Sequence, residues 1–236
     1  MSLPVGLGAS ATTDVAHAPA PPPAGCVVDH LTVLSATLDM GIAWVQRALG
    51  VHADRSGQPD TMGTHQARVR LGHSQFLQIV AIDPRARRPP RPRWFGLDRG
   101  QTPRRPQLAS WSVRSDDILR AATGSPEPLG AVRSLARGPV QWRMTLRDDG
   151  ALPLSGTAPV LVQWPDGGSP AATLADKQCA LLGLELLTPE PARLHALLQD
   201  LQVDGLDHTV VVTRARAHGL VAHIDTPGGL RTLAAR

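Results

Sequence analysis

Two histidines and a glutamine are the residues of this chain most suited to chemistry. His30 sits in the β-rich apolar run Cys26-Val-Val-Asp-His30-Leu-Thr-Val, and Gln78 in a second such run, Phe76-Leu-Gln78-Ile-Val-Ala. Between them, Gly63-Thr-His65-Gln-Ala-Arg-Val-Arg-Leu-Gly72 carries His65 beside Gln66. An imidazole titrates near neutral pH, so in a pocket it can take or give a proton. Some folds bring a first-strand and a last-strand position together, and His30 with Gln78 would then mark one small-molecule site. Plainer readings stand beside these. His30 can be a core histidine paired to Asp29 or to a backbone group, and Thr64-His65 can simply end a strand. Trp111 and Trp142 can line an apolar cavity or fill a core. His73, His195, His208, His218 and His223 fall near expected turns or surfaces. No Gly-rich phosphate loop, nucleophile elbow or paired-cysteine metal motif occurs.

The elements that must position these residues repeat along the chain. Residues 26–34 read as a strand. Leu38 to Leu49 has apolar residues at 38, 42, 45, 48 and 49, a helical spacing, and Gly50 stands where a helix terminator belongs. A short extended piece near Val51, the alternating Ala67-Val69-Leu71 strand and the run Phe76 to Ile82 follow. A second unit repeats the order strand, helix, three strands. It opens on Leu108-Ala-Ser-Trp-Ser-Val113, with Ser115 and Asp116 as caps for a helix from Asp117 to Ala122. Arg137-Gly138-Pro139 is a hairpin signal between Leu129–Leu135 and Val140–Leu146, and Pro159-Val-Leu-Val-Gln-Trp164 closes the unit. A third, shorter copy runs from the strand Cys179–Leu187 through a helix that starts at Pro189-Glu190-Pro191 and ends near Leu201 to three last strands.

Composition bounds what such a chain can do. Its 236 residues suit one large domain or two small ones, and a 42% hydrophobic share supports a sizeable core. Aromatics are only 3%, with no Tyr, so Leu, Val and Ala carry the packing. Lys177 is the single lysine, a bias that reflects bacterial-type genome composition rather than function. The net charge of +4 is local: eight arginines between Arg85 and Arg105 face one acid, Asp98, and give that segment +7. The rest of the chain therefore carries −3, the difference of the two values. Prolines throughout the segment make it an expected solvated surface connector, which argues against a nucleic-acid partner. Cys26 and Cys179 each open an apolar strand, where a buried thiol is the usual occupant. No run of 18 apolar residues exists, so no membrane span is expected, and a reducing cytoplasm is the default. Residues 1–24, rich in Ala and Pro, read as a disordered tail.

Order and spacing together carry a resemblance. Asp29-His30-Leu31, Leu49-Gly50-Val51, Met62-Gly63-Thr64-His65, Phe76-Leu77-Gln78, Trp111-Ser-Val113, Trp142-Arg143 and Pro159-Val-Leu-Val-Gln-Trp164-Pro165 resemble the glyoxalase-like domain of the vicinal oxygen chelate superfamily. The resemblance covers 26–172 well and the third copy more weakly. It implies an α+β fold of repeated βαβββ modules forming curled mixed sheets around a cavity. Module one would span 25–83, an Arg/Pro loop 84–106, module two 107–172 and a third βαβββ-like module 173–236.

The resemblance also implies metal ligands from the first and last strands of each module. By alignment these are His30 and Gln78 in module one, and Ser110 and Gln163 in module two. The family's carboxylate near Gln78 and its histidine at Ser169 are missing. One imidazole, two neutral amides and a hydroxyl leave a divalent charge uncompensated, and a neutral Gln cannot take a proton at pH 7. The expected cofactor is therefore none, or a weakly bound divalent metal ion. The expected function is binding of a small organic molecule in a pocket of His30, His65, Gln78, Ser110, Trp111, Trp142 and Gln163. The alternative is a metal-dependent lyase, isomerase or dioxygenase using His30 or His65, with His65 as the catalytic candidate. An odd third module would leave a sheet edge that a second copy can cover, so a homodimer is a further expectation.

Overall fold

Thr37 and Gly50 set the limits of the first helix in the computed structural model, which describes residues 25–56, 61–99, 104–165 and 169–234. The Thr37 hydroxyl accepts from the Met40 amide at 3.2 Å, and Gly50 takes φ +74°, open to glycine at no steric cost. The helix α1 (Leu38–Leu49) follows β1 (Val27–Leu34) and precedes β2 (Asp54–Arg55), β3 (Thr64–Arg70) and β4 (Phe76–Ile82). Leu38, Ile42, Val45 and Leu49 are buried, each contributing about 1.5–3 kcal/mol of hydrophobic stabilisation.

Module two runs β5 (Gln107–Arg114), α2 (Ile118–Gly124), β6 (Ala131–Arg137), β7 (Val140–Leu146) and β8 (Val160–Gln163). Its helix starts one residue later than the sequence suggests, because Asp117 is the cap and its carboxylate accepts from the Arg120 amide. The third unit runs β9 (Ala180–Thr188), α3 (Pro191–Asp200), β10 (Val210–Arg214), β11 (Gly219–Asp225) and β12 (Arg231–Ala234). The expected tail over 1–24 lies outside the described residues. Among the described residues no helix is long and apolar enough to cross a membrane.

The two modules form one eight-stranded sheet, β2-β3-β4-β1-β5-β8-β7-β6. Within each module the first strand runs parallel to the last, and the two first strands, β1 and β5, pair antiparallel at the centre. Alternation then sorts the side chains by face. Leu31, Val69, Leu77, Ile79, Val113 and Leu161 join the core on the helix side. Phe76, Val80, Trp142, Met144, Val160 and Val162 join a second cluster inside the curl.

The third unit keeps the element order but not the pairing. Its sheet order is β10-β9-β11-β12, so the first strand runs parallel to the second rather than to the last. Leu184, Leu186, Leu197, Ala222 and Leu233 share the helix-side core with both modules. The unit therefore backs the curled sheet and builds no second curl of its own.

The Arg/Pro segment is not the solvated connector its composition suggests. Its middle, Arg93 to Leu97, is buried, and Trp94, Phe95 and Leu97 close the inner cluster as a strap. The Arg93 amide and guanidinium both donate to Asp98, at 2.8 and 2.7 Å. The Gly96 amide donates to the Gly150 carbonyl at 2.7 Å. A Cβ on Gly150 would lie 2.2 Å from the Arg93 carbonyl oxygen, so only glycine lets the strap seat there. Charge and proline content report the ends of such a segment; three large apolar residues decide where its middle goes.

Candidate functional site

A bulge in β1 builds the centre of the site. Val28 pairs with Val113 and His30 with Ser112, which leaves Asp29 as the extra residue. Such an insertion re-aims side chains that would otherwise face opposite ways. His30 Nδ1 lies 2.7 Å from Asp29 Oδ1. A carboxylate only accepts, so this nitrogen is the donor. In the neutral ring Nε2 is then the acceptor for the Ser112 hydroxyl, 3.0 Å away. Phe76 stacks on the imidazole with ring centroids 4.7 Å apart. Asp29 is fully buried and also accepts from Arg114 Nη1 at 3.1 Å and from Trp164 Nε1 at 3.1 and 3.2 Å.

His30 lines a chamber inside the curl, together with Gln78 and Trp142 among the residues picked from sequence. Gln78 donates to the Thr32 hydroxyl at 2.9 Å. Gln66 and Arg68 of β3, Arg137 of β6, Val162 and Trp164 complete the walls, and Trp94 and Phe95 of the strap form the roof. Trp142 lies between Trp94 and Trp164, at centroid distances of 6.5 and 5.8 Å. The chamber measures about 20 Å³, room for one water molecule. Burial, and then the charge of Arg137, push the Arg68 guanidinium down to about 10, while Asp29 acts the other way.

A larger cavity of about 480 Å³ adjoins the strap, between the sheet and the third unit. Leu34, Leu152, His218 and Leu220 line it, and Phe95 lines both cavities. Phe95 holds φ +58°, a left-handed conformation that bulky residues adopt only under constraint.

Four residues expected in the pocket stand elsewhere. His65 has the strand parity of Ala67 and Val69, so it lies on the helix side, where burial lowers its pKa against the opposing charge of Asp83. Trp111 is also on the helix side and donates to the Thr157 carbonyl at 2.9 Å. Gln163 accepts from Arg143 at 3.2 Å and donates to the Asp116 carbonyl. Ser110 faces Thr32 across the sheet rather than His30.

The register gives the true equivalences. His30 pairs with Phe76 and Thr32 with Gln78 in module one; Ser112 pairs with Val160 and Arg114 with Val162 in module two. The pairing of β1 with β5 is symmetric about Leu31 and Trp111, so Ser110 is the counterpart of His30, as the alignment has it, and Val160, not Gln163, is the counterpart of Gln78. Gln66, Arg68, Arg137, Trp94 and Trp164 were missed from sequence. For Gln66 and Arg68 the signal was present: they are the polar partners in the Ala67-Val69 alternation.

Paired βαβββ modules curled around one chamber define the vicinal oxygen chelate fold. The sequence profile described as the glyoxalase-like domain matches residues 28–202, and the chain belongs to that family. Curated protein sequences give no match. Among solved structures, a hypothetical protein from Staphylococcus aureus is 11% identical with a TM-score of 0.56, covering 82% of this chain and 87% of that one. The Mn(II)-bound glyoxalase from Novosphingobium aromaticivorans is 10% identical with a TM-score of 0.48, covering 88% and 81%. A methylmalonyl-CoA epimerase from Mycobacterium tuberculosis is 20% identical with a TM-score of 0.35, covering 60% and 88%. At such identities a likeness speaks to the fold alone, and of these three the first is close enough in space to do so.

The fold family implies a divalent ion held by the first and last strands of each module. Here those positions are His30, Gln78, Ser110 and Val160. An isopropyl group is no ligand, and both ring nitrogens of His30 are engaged. Among the described residues no carboxylate lines the chamber, and no group of three or more His, Cys, Asp or Glu could hold a metal. This donor set does not fit a divalent ion, which takes charged or imidazole ligands.

Proposed function

We propose that the protein binds a small organic molecule at the chamber, without a divalent ion at its centre. The observation that carries this reading is that Val160, rather than an acid or amide, stands at the module-two position equivalent to Gln78. Phe95 is the movable wall. The chamber alone is too small for a ligand, whereas about 480 Å³ lies within the usual range for ligand pockets. Displacing Phe95 joins the two, with the ligand's body in the larger space and one end among Trp142, Gln78 and His30. Metal analysis of protein purified without chelator, together with His30→Ala, tests the reading. No stoichiometric metal is expected. One equivalent of metal that is lost in His30→Ala would sink it.

A second reading has one observation in its favour: the Asp29–His30 pair orients an imidazole at the chamber wall, as a general base requires. In it the protein moves a proton on the bound molecule. Solvent deuterium exchange into an α-acidic carbonyl compound, abolished by His30→Ala, is its expected signature. Exchange that is unchanged in that variant rejects it.

A further inference from the structure

We propose that the chamber recognises an acidic group: the carboxylate of a flat, largely apolar organic acid, held by the Arg68 guanidinium and the Trp94 indole N–H. This rests on the reading of the chamber as a binding site and adds the chemical class of the ligand.

Two buried donors in the chamber walls lack an acceptor. Arg68 Nε and Trp94 Nε1 are both buried without a hydrogen-bond partner among the described residues. Trp94 is only 3% exposed, so bulk water does not serve it. The hydrogen bond of the Arg68 side chain runs to Gln66 Oε1 at 3.5 Å, at the outer limit for such a contact. Its guanidinium lies over the Phe76 ring, 5.3 Å from the centroid, a face that a cation tolerates but that accepts only weakly. Asp29 is the nearest acid by its electrostatic effect, yet its oxygens already serve His30, Arg114 and Trp164.

Donors without acceptors, one of them on a guanidinium, match a ligand that only accepts and carries negative charge. A carboxylate has both properties, and its planar pair of oxygens suits a guanidinium edge. A flat apolar body behind that head group passes Phe95 into the larger cavity, beside Leu34, Leu152 and Leu220. A water molecule would meet the donors but not the charge. A phosphate shares the oxyanion chemistry, but its tetrahedral bulk suits a chamber walled by rings less well.

Calorimetric titration of the full chain with benzoate, benzamide and inorganic phosphate tests the proposal, using wild type, Arg68→Gln and Arg68→Lys. Benzoate is expected to bind about tenfold more tightly than benzamide, the worth of one charge-assisted hydrogen bond. Arg68→Gln should abolish that preference. Arg68→Lys, which keeps the charge, should retain part of it and shows that loss in Arg68→Gln is not misfolding. Arg120→Gln on the exposed face of α2 should change nothing. Benzamide binding as tightly as benzoate, with both weakened by Trp142→Ala, overturns the acid assignment and leaves the binding site standing. Phosphate displacing benzoate through Arg68 overturns the carboxylate in favour of phosphate esters. Binding of none of the three overturns this proposal and the reading beneath it.

Discussion

Asp29 and His30 are chain neighbours on a strand, yet their side chains meet at 2.7 Å. The bulge between Val28 and His30 makes this contact, and it ties the chamber's histidine to a fully buried carboxylate. That carboxylate also takes hydrogen bonds from Arg114 and Trp164, and so joins β1, β5 and the residue following β8. The centre of the site and the seam between the modules are the same small network.

Removing the carboxylate therefore strikes both. Asp29→Ala strands the Arg114 cation and the Trp164 and His30 donors, and the expected cost is about 3–5 kcal/mol in urea unfolding. Asp29→Asn, which keeps an acceptor, should cost less. Wild-type stability in Asp29→Ala would show that the network contributes nothing.

Ser112 rather than Ser110 is the hydroxyl coupled to His30. Ser112→Ala should shift the His30 ring nitrogen resonances and cost about 0.5–1.5 kcal/mol. Ser110→Ala should leave those resonances in place, since its hydroxyl meets only the Trp111 carbonyl at 3.5 Å. The reverse pattern would mean that the pairing of β1 with β5 is shifted by two residues.

The strap depends on Gly150. An added Cβ meets the Arg93 carbonyl oxygen, and φ +71° is itself unfavourable for alanine. Gly150→Ala should cost about 1–3 kcal/mol and speed tryptic cleavage at the arginines between Arg85 and Arg99. Unchanged cleavage would show that the strap is held without this contact.

Acid should weaken the fold through His65. Burial lowers its pKa below 6.5, so the folded chain favours the neutral ring. As pH falls through 6.5 toward the folded value, the unfolded chain binds the extra proton first, and stability drops. Denaturation midpoints at pH 7 and pH 5 should differ less in His65→Gln than in wild type. Equal acid losses in the two would remove His65 from the account.

Local signals survived into the structure where the physics is local. The helix over 38–49, its Gly50 end and the 140–146 strand each follow from spacing within a few residues, and the structure forms them there. His65 shows a local rule that was available but unused: it shares parity with Ala67, which places it on the core face. The resemblance likewise depended on order and spacing along the chain, and the family match bears it out.

The chain by itself determined two βαβββ modules, a third unit of the same element order, and His30 and Gln78 as strand positions able to meet. Only the tertiary structure decided which residues stand opposite them. One bulged residue in β1 sets His30 across from Ser112 instead of Trp111, and an irregularity at Ala109 in β5 restores the register beyond Thr32. The curl then selects Val162 over Gln163 by face. Trp94 reaches the chamber because an Arg- and Pro-rich segment has nowhere better to bury three large apolar side chains. These outcomes depend on pairing and packing between segments far apart in sequence, and no window along the chain contains them.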